Sequence, residues 1–224
     1  MDEVIVQSTC GITLAGGGGF SLKLLEFARF WAPRVVAADG GADRLLRHGV
    51  EPEAVIGDFD SITAQAQVRL KGRLFPIRDQ ATTDFDKALR SVQAPFVLGV
   101  GFSGARLDHG LAVLNALVRH ADRRCLLLSA TDVVFVAPRD MALALRVGTR
   151  LSLFPMGEVT GTSTGLRWPL DGLQFGPTGM IGTSNQVTGP VRLRFSASLM
   201  LVILPVTALP AVLDGFGLSG VHGQ

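Results

Sequence analysis

Val55-Ile56-Gly57-Asp58-Phe59-Asp60-Ser61 decides how this chain is read. A β-branched pair marks the end of a strand, and the glycine lets the backbone turn sharply after it. Asp58 and Asp60 then flank one apolar residue, and residues two apart on an extended segment share a side. Two readings fit this pattern. Either the carboxylates converge as oxygen ligands for Mg²⁺, or they belong to a solvated turn.

The same grammar repeats on either side. Apolar runs at 12–15, 35–38, 54–56, 74–77, 96–100 and 125–129 alternate with helical segments at 21–31, 42–48, within 63–70, at 83–91 and at 108–121. Ser21 and Thr83 stand at helix starts. Pro76 points to an edge or strand end. Continuous apolar strands alternating with helices predict an α/β fold: a doubly wound, mostly parallel sheet with helices on both faces. Ligands of such sheets sit beyond the carboxyl ends of the strands. That edge collects Gly16–Gly19, Asp39, Asp58, Asp60, residues 79–84 and residues 101–108.

After Ser129 the helical period fades. Segments 133–137 and 141–146 flank Pro138-Arg139-Asp140, which predicts a hairpin. Short strands are expected at 150–154, 165–168, 173–175 and 191–203, with no further helix. The expectation is a small C-terminal antiparallel β-sandwich or barrel, the sandwich preferred, dividing the chain into residues 1–129 and 130–224.

Composition sets the limits. Of 224 residues, 47% are hydrophobic and 18% charged, enough for a substantial core. A net charge of +2 argues against a nucleic-acid partner. Cys10 and Cys125 lie in apolar runs without metal spacing and read as buried thiols in a reducing compartment. Met1-Asp2-Glu3 lacks a basic leader, and the apolar run 199–206 is too short to cross a bilayer. A cytoplasmic protein is expected.

Thr83-Asp84-Phe85-Asp86-Lys87 opens a helix, with Asp84 and Lys87 on one turn. Thr83 is a cap, while Asp84 suits a metal and Lys87 a phosphate, and these roles are compatible. Gly99-Val100-Gly101-Phe102-Ser103-Gly104 matches a dinucleotide fingerprint, yet the following strand ends without the acid that would hold a ribose. No lysine is followed by Ser or Thr, which excludes a P-loop. Gly16–Gly19 is either a nucleotide approach or a flexible turn. In Arg106-Leu107-Asp108-His109, Arg106 suits a bidentate phosphate contact. Asp108 either caps the helix or orients a nucleophile, and His109 alone reads as a polar first-turn residue. His48, His120 and His222 read as surface or core residues without metal spacing. Trp168 either fills the β core, the reading its spacing favours, or stacks on a flat heteroaromatic ligand with Ser184 and Asn185 supplying polar contacts.

Together, Ala38-Asp39-Gly40-Gly41-Ala42, Gly57-Asp58-Phe59-Asp60-Ser61, Thr83-Asp84-Phe85-Asp86-Lys87-Ala88-Leu89, Gly104-Ala105-Arg106-Leu107-Asp108-His109 and Ser184-Asn185 resemble the thiamine pyrophosphokinase family. The motifs occur in the family's order and span nearly the whole chain. The resemblance implies Mg²⁺-dependent transfer of pyrophosphate from ATP to thiamine, giving thiamine diphosphate and AMP. It implies an N-terminal ATP domain, a C-terminal thiamine domain, and a homodimer with active sites at the subunit interface. On that pattern Asp58, Asp60 and Asp84 hold Mg²⁺, while Gln80, Lys87, Arg106 and His109 meet ATP. Asp39 and Asp108 lie near the thiamine hydroxyl; Trp168, Ser184 and Asn185 shape the thiamine pocket. Ala81, Ala105 and Gln186 depart from the residues usual in the family. A phosphatase with an Asp-x-Asp nucleophile expects the pair after the first strand, whereas here it follows the third. A non-catalytic thiamine or nucleotide regulator on the same scaffold is the remaining alternative.

Overall fold

A computed structural model describes residues 3–104 and 106–218. The departure at Ala105 and the residues Met1, Asp2 and His222 lie outside the described residues. The chain divides into two compact units, the first within Met1–Ala116 and Asp122–Ala130, the second within Leu117–Ala121 and Thr131–Gly220.

The first unit runs β1 (Val6–Gln7), β2 (Ile12–Ala15), α1 (Leu22–Trp31), β3 (Arg34–Ala38), α2 (Gly41–Arg47), β4 (Ala54–Gly57), α3 (Ala64–Arg69), β5 (Leu74–Pro76), α4 (Asp84–Arg90), β6 (Val92–Gln93), β7 (Val97–Val100), α5 (Leu107–Arg119) and β8 (Cys125–Leu128). Its sheet is ordered β5-β4-β3-β2-β7-β8, and every pairing along that row is parallel. Strands β2, β4, β7 and β8 are buried along their whole length, which is why they read as unbroken apolar runs. Strand β5, carrying Pro76, ends the row, and β1 pairs separately with β6. Each of those two strands has only two residues, too few for periodicity to register.

Helix starts follow the caps. Ser21 Oγ accepts from the Leu24 amide, Thr63 Oγ1 from Ala66 and Thr83 Oγ1 from Asp86. Each such cap contributes about 1 kcal/mol.

The order reverses at β2, so the loops leaving β2 and β7 emerge side by side. The Gly16 amide donates to Val100 O at 2.8 Å and Gly18 to Gly101 O at 2.9 Å. A Cβ on Gly18 would lie 2.5 Å from Gly101 O. The glycine run therefore permits two backbones to pack together, which is more specific than a flexible turn.

The second unit comprises β9 (Asp132–Val136), β10 (Asp140–Leu143), β11 (Arg150–Pro155), β12 (Val159–Leu166), β13 (Gln174–Phe175), β14 (Gly182–Phe195), β15 (Met200–Pro205) and α6 (Leu209–Gly215). The ladders between these strands are antiparallel. Strand β14 organises them: its start pairs with β11, and its end with β10 and β12.

Four expectations are corrected here. The segments flanking Pro138 do not form a hairpin: β9 pairs with β15 and β10 with β14. Their burial differs accordingly, since β10 alternates exposed and buried residues while β9 is mostly buried. Residues 191–203 form the end of β14 and the start of β15, with 196–199 between them. A helix does occur: α6 buries Leu209, Val212 and Leu213 and carries Pro210 in its first turn, where its missing N–H costs nothing. Of the cysteines, Cys125 is buried, but Cys10 is only half-buried. Among the described residues no helix is long and apolar enough to cross a membrane.

Candidate active site

Three acidic side chains converge where adjacent strands end. Asp39 follows β3 and is 2% exposed; its amide donates to Ile56 O of β4 at 3.0 Å. Asp58 and Asp60 follow β4 on either side of Phe59, whose φ is 66°. Asp39 itself has φ 39°. Two left-handed non-glycine residues in adjacent site loops are strain of the sort that surrounding structure must hold in place. One ligand atom from each of Asp39, Asp58 and Asp60 lies within 4.8 Å of the others.

Helix α4 brings the counter-charge. Lys87 is 2% exposed, and its Nζ donates to Asp58 Oδ2 at 2.8 Å and to Asp84 Oδ1 at 3.1 Å. The loop is tied further by Ser61, whose amide donates to Asp39 Oδ2 at 3.0 Å and whose hydroxyl donates to Asp60 Oδ1 at 2.8 Å. Asp43 of α2 accepts from the Thr63 amide at 2.9 Å and from its hydroxyl at 2.5 Å.

The electrostatics follow from this crowding. Burial, then the charge of Asp84, pushes the Asp39 carboxyl up to about 6. Burial also raises Asp84, whereas the hydrogen bond from Lys87 holds Asp58 below the usual carboxylate range. Burial opposes the Lys87 charge, yet bonds to Asp58 and Asp84 outweigh it and raise that group. Asp58 and Asp84 share the Lys87 ammonium, and Asp39 Oδ1 and Asp58 Oδ1 are buried without a hydrogen-bond partner. Buried oxygens left unsatisfied are costly, and a hard divalent cation is the group that satisfies them. The donor set fits Mg²⁺.

Gly57 makes this closeness possible. A Cβ there would lie 2.8 Å from Asp39 Cβ and 3.2 Å from Asp84 Oδ1. Gly57→Ala should therefore cost about 1–3 kcal/mol and spread the carboxylates. Denaturant unfolding and a Mn²⁺ titration would register both effects; an unchanged cation affinity contradicts the steric argument.

The remaining expected residues of this unit lie outside the cluster. Gln80 is exposed in the loop between β5 and α4. Next to it Asp79 Oδ1 accepts from the Ala81 amide at 2.8 Å, and Asp79 Oδ2 accepts from Thr82 Oγ1 at 2.7 Å and Arg90 Nη2 at 3.1 Å. Arg106 grips Asp108 in bidentate fashion, Nη2 to Oδ2 at 2.6 Å and Nε to Oδ1 at 3.2 Å. That guanidinium brings the exposed Asp108 carboxyl down to about 2. His109 is exposed on the first turn of α5.

In the second unit Trp168 follows β12 and is 53% exposed, which corrects the core-filling reading. Arg167 stands 5.0 Å from its ring centroid and donates to Gln186 Oε1 at 3.5 Å. Asn185 is buried and clamps the indole's backbone: Oδ1 accepts from the Trp168 amide at 3.2 Å, and Nδ2 donates to Trp168 O at 2.7 Å. Both ends of that amide are thus occupied by the protein, so Asn185 holds the turn that carries Trp168. Ser184 is exposed with φ 61°, its amide donating to Ser152 Oγ at 2.9 Å. Asn185→Ala should cost about 1–3 kcal/mol by orphaning the Trp168 peptide. Thermal unfolding with tryptophan fluorescence would record it, and an unshifted transition would refute the clamp.

Sequence reasoning placed Asp84 in the metal set and Asp39 beside the alcohol; the structure gathers Asp39 with Asp58 and Asp60, while Asp84 shares Lys87 with Asp58. Ala38 and Ile56 are partners in register on β3 and β4, so adjacency of two parallel strands was the available signal. Ser61 and Asp43 were missed as anchors, since their bonds cross 20 or more residues of chain.

Residues 27–128 match the family model for thiamin pyrophosphokinase, catalytic domain, and residues 140–200 that for thiamin pyrophosphokinase, vitamin B1 binding domain. Thiamine pyrophosphokinase 2 of Oryza sativa subsp. japonica is 30% identical over 196 residues, covering 71% of this chain and 73% of the relative. Thiamin pyrophosphokinase 1 of Caenorhabditis elegans is 29% identical over 195 residues, covering 75% and 77%. Thiamin pyrophosphokinase from Candida albicans shares the fold at a TM-score of 0.73 and 14% identity, over 89% of this chain and 91% of that one. With both family models matched in order over the acidic loops and the Trp168–Asn185 region, the chain belongs to the thiamine pyrophosphokinase family.

Proposed function

We propose that this protein transfers the pyrophosphoryl group of ATP to the hydroxyl of thiamine, forming thiamine diphosphate and AMP. The observation that carries the reading is the acidic cluster with two buried, unpartnered carboxylate oxygens beside a buried lysine, in a member of this family. The hydroxyl oxygen attacks the β-phosphorus, the bond from that phosphorus to the α-phosphate oxygen breaks, and AMP departs. Positioning and charge neutralisation should provide most of the rate.

Asp39, Asp58 and Asp60 would hold Mg²⁺, with Asp84 adding negative charge beside them. When bound, that ion supplies neutralisation of phosphate charge. Lys87 pins Asp58 and Asp84 and adds a positive charge of its own. Arg106 would exchange its bidentate partner Asp108 for a phosphate, with Gln80 and His109 as further ATP contacts. Released from Arg106, Asp108 regains an ordinary carboxylate basicity and accepts the hydroxyl proton. Trp168 and Ser184 would face thiamine, with Asn185 fixing the Trp168 turn. The reversal of strand order at β2 supports a doubly wound sheet, and the division of β14 between two sets of partners supports a sandwich. Residues 1–129 would then form the ATP domain and 130–224 the thiamine domain. A cytoplasmic homodimer with active sites at the subunit interface completes the reading.

Incubation with thiamine, ATP and Mg²⁺ tests it directly. AMP and thiamine diphosphate should appear in equal amounts, and only when both substrates are present. Binding without turnover would make the protein a regulator, and ADP as product would refute pyrophosphoryl transfer.

A further inference from the structure

We infer that Ser61 is the positioning residue of the cation site, joining two of its three carboxylates through a single amino acid. The inference rests on the reading that Asp39, Asp58 and Asp60 bind a divalent cation. Ser61 donates twice. Its amide takes Asp39 Oδ2 at 3.0 Å, and Oδ1 of the same buried carboxylate is left without a partner. Its hydroxyl takes Asp60 Oδ1 at 2.8 Å. A carboxylate gripped by one oxygen cannot rotate freely and presents the other, which is how outer-shell donors orient metal ligands.

The need for such a device is visible in the loop. Asp60 is exposed and follows Phe59, whose φ of 66° leaves the acidic turn in a sparsely populated conformation. Asp58 is already fixed by the bond from Lys87 at 2.8 Å. Asp39 is fixed by burial and by the Ser61 amide. Asp60 has neither burial nor a lysine, and the Ser61 hydroxyl restrains it instead. Asp43, through Thr63, secures the chain just beyond Ser61, so losing the hydroxyl should leave the loop where it is.

Ser61→Ala removes the bond to Asp60 and keeps the amide bond to Asp39. Ser61→Thr keeps both, and the exposed position leaves room for the added methyl. Mn²⁺ binding followed by electron paramagnetic resonance, with no nucleotide or thiamine present, gives a readout independent of turnover. The expected result is an affinity about 10-fold or more weaker in Ser61→Ala and restored in Ser61→Thr, with metal-free melting temperatures unchanged. In turnover assays Ser61→Ala should need correspondingly more Mg²⁺ for half-maximal rate, while kcat at saturating Mg²⁺ stays within about twofold. Wild-type protein that binds no Mn²⁺ would overturn the cation reading and this role with it. Wild-type binding with equal affinity in Ser61→Ala, or no recovery in Ser61→Thr, would overturn the role of Ser61 alone.

Discussion

Asp58→Asn is expected to lower kcat by about 100-fold or more while the protein keeps its fold. Asp58 does two jobs: Oδ2 receives Lys87 Nζ at 2.8 Å, and Oδ1 is buried with no partner beside Asp39 and Asp60. The amide retains an oxygen for Lys87 but gives up the charge that holds a divalent cation. Loss of that charge also gives up part of the attraction to Lys87, so metal-free stability should fall modestly while Asp84 keeps Lys87 paired. Steady-state kinetics at saturating Mg²⁺, paired with a thermal melt, measure both. A kcat near that of the unmodified protein, in a folded variant, would remove the metal role from Asp58.

Lys87→Met should have the largest effect on stability. Lys87 is 2% exposed and ion-paired with both Asp58 and Asp84, so its loss strands two acids against Asp39. Removing one partner of a buried ion pair costs about 3–5 kcal/mol. The sign with pH is also determined. The Lys87 hydrogen bond lowers the folded-state pKa of Asp58, so its contribution is complete above the ordinary carboxylate pKa and fades as pH falls through the folded value. The deficit of the variant should thus be full at neutral pH and shrink in acid below about pH 4. Urea unfolding with a chelator present, at neutral and acid pH, measures it. A loss below about 1 kcal/mol at neutral pH would mean that Lys87 does not organise the cluster.

The parallel sheet was legible because most of its strands are buried along their whole length: 12–15, 54–57 and 97–100 carry no alternation to confuse with a half-exposed strand. Asp58, Asp60 and the Asp84–Lys87 turn were legible because each pair is local in sequence. Asp39 needed the knowledge that β3 and β4 are neighbours, which no local window contains. In the second unit, polar strands defeated the reading. Val159–Leu166 is mostly Thr, Ser and Gly, and its pairing with β14 supplies what its composition does not advertise. Trp168 shows the limit of an indole's hydrophobicity as a guide: Asn185 holds its backbone in a turn that leaves the ring outside.

Crystals soaked in Mn²⁺ and recorded near the manganese absorption edge test the cation site most directly. The account predicts an anomalous peak ligated by Asp39, Asp58 and Asp60, lost in Asp58→Asn. Anomalous density elsewhere in the protein, with these three carboxylates bearing none, would contradict it.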